Sequence, residues 1–301
     1  MTYSTWSFAP HSMPLHQLHT QHDRSFAANR YVYPVLSRRS GGISVGVNLN
    51  PDKVCNFDCI YCQVNRREQS ETRFVGIEIL LSELREVLAH VHSGNIYKTD
   101  QFQDTPAKLR RLNDIAFSGD GEPTTYKNFD SIIAACAEVK KSMGLNEVKM
   151  VLITNASMFH RKHVKQGLAT LDCNQGEVWA KLDAGTSDYY HLIERTPIPF
   201  QRILDNITSA AMKRPLVIQS LWMQVNGEGP SPEELMSYCD RLNDIISAGG
   251  ALSLVQTYTV ARRPAESNVL PLADAKIDAI SQLVRDQVGI PAASFYGSTG
   301  Y

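Results

Sequence analysis

Three cysteines within eight residues are the part of this 301-residue sequence best equipped for chemistry. They stand in Cys55-Asn56-Phe57-Asp58-Cys59-Ile60-Tyr61-Cys62, a C-x3-C-x2-C spacing, and the next cysteine is Cys136. A closed structural zinc site takes four ligands, whereas a site built for reaction keeps one coordination position open. Three thiolates can hold three irons of a [4Fe–4S] cube, and an electron-transfer cluster would use a fourth cysteine. The fourth iron is then open to another ligand. The same residues could instead form a zinc knuckle completed by a distant histidine, or three thiols packed in a core.

Other candidates lie where strands are expected to end. Gly119-Asp120-Gly121-Glu122-Pro123 places two glycines around a pair of carboxylates, and glycine lets backbone approach a ligand closely. Asn155 and Asp183 each close a predicted strand, as caps or as ligand contacts. Lys181 faces either the interior, where it needs a carboxylate or a ligand, or the outer face, snorkelling. Gln219, Ser220, Gln256 and Tyr258 are polar positions in otherwise apolar strands and are candidates to line a cavity. The doublets Arg38-Arg39, Arg66-Arg67 and Arg262-Arg263 flank segments expected at the mouth, and Arg110-Arg111 is a fourth. Such fork-shaped donors suit phosphate or carboxylate, RNA included, and also serve as plain surface charge.

The elements that must position these groups alternate. Ile43–Leu49 reads as a strand leading into the cysteines, which puts them at a carboxyl end, where barrel-type α/β folds carry their chemistry. Helix Glu78–His92 follows, then strand Asp114–Phe117, a helix with Phe129, Ile132, Ile133 and Cys136 on one face, and strand Val148–Ile153. Helix His160–Leu171, strand Glu177–Leu182, helix Pro199–Met212 and strand Leu216–Met223 continue the pattern. The next helix opens on a capping box at Ser231-Pro232-Glu233-Glu234, and strand Ala251–Thr257 and helix Leu272–Val288 complete it. Six strands alternating with helices imply an α/β fold with a parallel sheet and right-handed crossovers, a partial (β/α)6 barrel. The expected organisation is an N-terminal extension over 1–40, the barrel over 41–270, and a C-terminal helix and tail over 271–301. The extension carries His11, His16, His19 and His22 irregularly spaced; the tail after Ile290 has no readable pattern.

Composition is that of a globular protein, with 43% apolar and 20% charged residues. A net charge of −1 gives no bulk attraction for nucleic acid or membranes. No apolar run reaches membrane-spanning length, and the start lacks the order of a signal peptide. Six cysteines, three of them clustered, do not make a disulfide framework, so a cytoplasmic, reducing location is expected.

The spacing, with aromatic Tyr61 before the last cysteine, resembles the signature of the radical S-adenosylmethionine (radical SAM) superfamily. Ser37-Arg38-Arg39, Asn48-Leu49-Asn50-Pro51, Ser118-Gly119-Asp120-Gly121-Glu122-Pro123-Thr124 and Lys181-Leu182-Asp183-Ala184 resemble one branch of it. That branch groups wyosine-type tRNA-modifying iron–sulfur enzymes with bacterial relatives, and the likeness covers roughly 31–270. Wyosine-forming enzymes carry further N-terminal cysteines for a second cluster, and this chain has none before Cys55. The resemblance implies one [4Fe–4S] cluster on Cys55, Cys59 and Cys62, with SAM chelated to the open iron. It also implies that Gly119, Asp120, Gly121 and Glu122 contact the SAM amino group, as a Gly-Gly-Glu motif does, and that Tyr61 lies beside adenine. Asn155 and Asp183 then point towards ribose or substrate. The implied activity is reductive SAM cleavage and hydrogen abstraction by an oxidoreductase served by a flavodoxin- or ferredoxin-like electron donor. The substrate is an anionic small molecule or RNA, tRNA among the choices. A non-catalytic iron–sulfur or zinc sensor module is the reading from another class.

Overall fold

The computed structural model describes residues 26, 28–37, 39–66, 70, 72, 74–262, 264 and 266–297. The four N-terminal histidines, Arg24, Arg38, Arg67, Arg263 and the last four positions lie outside them.

Strand β1 (Val32–Ser37) turns back on β2 (Gly42–Val47) as an antiparallel hairpin, and helix α1 (Ile77–His92) follows the cysteine loop. The chain continues through β3 (Leu112–Phe117), α2 (Phe129–Ser142), β4 (Lys149–Thr154), α3 (Lys162–Asp172) and β5 (Gly176–Lys181). Two helices follow in succession, α4 (Ser187–Glu194) and α5 (Phe200–Ala211), and then strands β6 (Leu216–Leu221) and β7 (Met223–Val225). Helix α6 (Pro232–Ser247), β8 (Leu252–Tyr258), β9 (Val269–Pro271), α7 (Asp274–Val288) and β10 (Ala292–Phe295) complete the order. The main sheet runs β1-β2-β3-β4-β5-β6-β8-β10, parallel except for β1, and its two ends are not paired with each other. It is a curled, partial barrel. The six strands expected from sequence form its middle. Strand β7 pairs with β9 apart from it.

Period-two alternation gives the sheet two different faces. Ile115, Phe117, Leu152 and Ile218 join the large core beneath the helices, to which α1 contributes Leu80, Leu84, Val87, Leu88 and Val91. The concave face carries a separate small cluster, Ala116, Val151, Trp179 and Val217. Cys136 and Cys239 are buried in the main core, as their helical spacing predicts. No helix among the described residues is long and apolar enough to cross a membrane.

Strand β1 lies in the stretch expected to be an N-terminal extension, the β7–β9 pairing was not expected, and three further features depart from the sequence reading. Helix α4 is absent from it, because its eight residues are few for periodicity to show. The tail adds β10 beside β8, in register from Ala292 with Val255 to Phe295 with Tyr258. The expected capping box is half of one. Ser231 Oγ accepts from Glu234 N at 3.2 Å, but the Glu234 carboxylate reaches Gly185 N and Thr186 Oγ1, both at 2.5 Å. It therefore ties α6 to the start of α4.

Candidate active site

The loop after β2 carries the three cysteines, half-buried and free, at the carboxyl end of the sheet. Its backbone hangs on the end of α4: Asp58 N donates to Glu194 O at 3.1 Å and Ile60 N to Ile193 O at 2.9 Å. Thr196 Oγ1 holds Asn56 O at 3.0 Å. All three cysteines face one cavity of about 250 Å³, whose wall includes Tyr61, Gly119, Asp120, Gly121, Glu122 and Asn155. Asp183, expected to bind the cofactor, does not line the cavity but stands just behind it on Tyr61, while Lys181 is part of the wall.

The thiol surroundings differ. Cys59 Sγ donates to Glu194 Oε2 at 2.6 Å, and burial, reinforced by that carboxylate, pushes its pKa well up. Burial also raises Cys55. Arg66 Nη2 donates to Cys62 Sγ at 3.4 Å, and Arg66 also reaches Lys53 O and, at 3.0 Å, Asp120 O. This guanidinium thus clamps the cysteine loop to the glycine turn. Among the described residues no three His, Cys, Asp or Glu side chains converge on a single metal ion, an arrangement compatible with thiolates that each take a separate iron.

The glycine turn needs its glycines for space. A Cβ on Gly119 would overlap Asn48 Oδ1, and one on Gly121 would overlap the carbonyl oxygen of Val54. Asn48 also accepts from Asp120 N at 3.2 Å and donates to Asp120 Oδ2 at 2.6 Å. Glu122 is buried and accepts from Thr124 N at 3.0 Å, Thr124 Oγ1, Thr154 Oγ1 at 2.6 Å and Asn155 N at 2.7 Å. Burial raises its pKa, while these donors pull the other way. Asn155 bridges to the cysteine loop through Asn56 Oδ1 at 2.9 Å.

Behind the cysteines lies a buried charged cluster. Asp183 Oδ2 accepts from Tyr61 Oη at 2.5 Å and lies 3.0 Å from Lys181 Nζ, while Asp183 Oδ1 takes Leu221 N at 2.7 Å. Lys181 faces inward, donating to Tyr258 Oη at 2.8 Å with its ammonium 4.9 Å from the Tyr61 ring centroid. Burial, the largest single influence, lowers its pKa, but Asp183, Tyr258 and Glu194 together outweigh it and raise it. Glu194 is pushed up to about 8 by burial and by Asp183. Tyr61 is fixed by a carboxylate as well as by its position beside the cavity.

The remaining candidates separate by strand parity. Gln219 turns inward and donates to Gln256 at 2.8 Å, whereas Ser220 points outward to Tyr238 Oη at 2.5 Å. Adjacent strand residues cannot share a face, so only Gln219 of that pair can belong to the concave side. Arg39 crosses the concave face onto Trp179 and Tyr258, and Arg110 lies over Tyr97 away from the cysteines. Sequence reasoning missed Glu194. The signal was Thr186 as N-cap, Asp188 in the first turn, and Tyr190, Ile193 and Glu194 at helical spacing.

Comparison with known proteins agrees with this geometry. The radical SAM superfamily model matches residues 49–239. A protein of Brachyspira hyodysenteriae named GTPase Obg is 25% identical over 252 residues, covering 81% of this chain and 32% of that protein. The chain thus spans about a third of that relative's length. A UPF0026 protein of Helicobacter pylori (strain J99) is 26% identical over 238 residues, 77% of this chain and 68% of that protein. The fold is similar to that of Streptococcus suis SuiB, solved bound to S-adenosylmethionine, with TM-score 0.57 at 13% identity. That match covers 86% of this chain and 52% of SuiB. The family match takes in the cysteine loop, the glycine turn and the helix that carries Glu194, and the chain belongs to the radical SAM superfamily of enzymes.

Proposed function

We propose that the chain holds one [4Fe–4S] cluster through Cys55, Cys59 and Cys62, binds SAM at the glycine turn, and acts on a substrate in the concave face of the barrel. The observation that carries this reading is that all three thiols open onto the same cavity as Gly119–Glu122 and Asn155. The residues fit the cofactors: three soft donors with no fourth cysteine in their loop, facing one cavity with the glycine turn. Held there, a [4Fe–4S] cluster with SAM would supply one-electron reductive cleavage of SAM and, through it, hydrogen abstraction from a substrate.

The chain's own part is placement. Arg66 and Asn155 hold the cysteine loop against the glycine turn and β4. Asp183 fixes the Tyr61 hydroxyl, which sets that ring at the cavity wall. Half-burial of the cysteines limits access of water and oxygen. A flavodoxin- or ferredoxin-like donor in a reducing cytoplasm suits such a centre. RNA is the alternative substrate, for which His160, Arg161, Lys165 and Arg202 lie near one another beside α3 as a group of basic side chains. Steep salt dependence of total tRNA binding is the sign of that alternative. The test of the main reading is anaerobic reconstitution of the full chain, with iron, sulfide and SAM cleavage measured. Cys59→Ala is expected to lose cluster and cleavage together; SAM cleavage retained in that variant rejects the assignment, and zinc without broad visible absorption supports a sensor module.

A further inference from the structure

A second chamber of about 250 Å³ lies on the concave face and shares Ser118, Gly119 and Ile153 with the cysteine cavity. The two therefore adjoin, and the chamber is where a substrate would meet the radical if the reading above holds. Its chemistry is that of a polar site rather than of a packed barrel core. Arg39, from the β1–β2 turn, lies with its guanidinium carbon 5.0 Å from the Tyr258 ring centroid and 5.9 Å from that of Trp179. Trp179 is itself held by its indole N–H on Glu177 Oε2 at 3.0 Å. Aromatic faces fix a guanidinium while leaving its N–H edge free to donate. Among the described residues Arg39 makes no ion pair.

Arg262 lines the same chamber, its carbonyl held by Gln63 Nε2 of the cysteine loop at 3.0 Å. Opposed to these cations is one buried carboxylate, Asp114. It accepts from Ser44 Oγ at 2.5 Å and Asn113 Nδ2 at 3.1 Å and, among the described residues, has no basic partner. A guanidinium with no ion pair and a separate buried carboxylate with no basic partner, both among the described residues, call for a ligand with groups to match in so small a volume. The volume itself is that of a metabolite or a single side chain, at the lower end of small-molecule sites.

We propose that this chamber is the substrate pocket and that it takes a small molecule bearing an anionic group, carboxylate or phosphate. The anion sits on Arg39, and a hydrogen-bond donor of the same molecule turns to Asp114. The inference rests on the radical SAM reading for its catalytic meaning but not for its binding chemistry, so the two fail separately.

The test is a titration of the full, iron-free chain with succinate, inorganic phosphate and neutral succinamide, read by tryptophan fluorescence, since Trp179 lines the pocket. The expected result is a saturable change with succinate or phosphate and none with succinamide. The stronger of the two anions identifies the group. Arg39→Gln, which removes no hydrogen bond or ion pair between described residues, is expected to weaken binding at least tenfold with an unchanged circular dichroism spectrum. Arg39→Met, with the same expectation, is the second variant should the first fail to fold. Trp179→Phe is expected to abolish the signal. Absence of saturation with either anion, binding by the Arg39 variant as tight as by the unaltered chain, or a signal that survives Trp179→Phe overturns the proposal. So does tight binding of total tRNA by a chain that ignores both small anions. Anion binding by a chain that takes up no iron would instead leave the pocket standing and reject the cluster.

Discussion

A methyl group on Gly121 would occupy the place of the Val54 carbonyl oxygen, one residue before Cys55. Gly121→Ala must therefore shift backbone rather than a flexible side chain, at a cost of about 1–3 kcal/mol. The expected outcome is a lower urea midpoint for the iron-free chain and less iron retained after anaerobic reconstitution; full iron retention would show that the two loops are independent. The cysteines and these glycines were legible in the sequence because each set lies within one short loop, where spacing alone carries the geometry. Glu194 was not, because it meets Cys59 across 135 residues of chain and only the packing of α4 brings it there. Lys181 was undecided for a related reason: the choice between faces depends on where Asp183 ends up, and that buried carboxylate pulls it inward.

Helix α4 is the element on which the cysteine loop depends. Its amino end is held by Glu234 through Gly185 and Thr186, and its carboxyl end accepts two backbone bonds from the loop. Glu234→Ala leaves the buried Gly185 N–H and the half-buried Thr186 without that acceptor, which costs about 1–3 kcal/mol. It is also expected to loosen the Glu194–Cys59 contact and speed alkylation of Cys59 in the iron-free chain, followed by peptide mass spectrometry. Unchanged Cys59 reactivity would mean that α4 is anchored elsewhere. The sequence showed Ser231 and Glu234 three residues apart and suggested a closed box. It could not show that the carboxylate had a more distant donor pair to satisfy. The strands were read well because alternation and apolar runs are local, whereas the face of Gln219 as against Ser220 is settled only by which neighbour lies beyond each.

At the scale of the molecule, the sheet ends at β10, a short strand of small residues that hydropathy does not distinguish from loop. It is held by Arg285 Nη1 on Ala292 O at 2.7 Å, by Ser281 Oγ with Ser294 Oγ at 2.7 Å, and by its pairing with β8. A chain ending at Gly289 exposes the β8 edge, an open template for association. Loss of roughly 2 kcal/mol would lower the unfolding temperature by about 4–8 °C. Calorimetry and light scattering are expected to show a lower midpoint and concentration-dependent aggregation; an unaltered midpoint would make β10 dispensable. The contact of Gly121 with Val54 has a broader thermodynamic meaning. Two ligands bound to surfaces that share one wall are linked, and linkage is reciprocal. Whatever factor metallation adds to the affinity for the sulfonium cosubstrate, the cosubstrate returns as protection of the metal against loss.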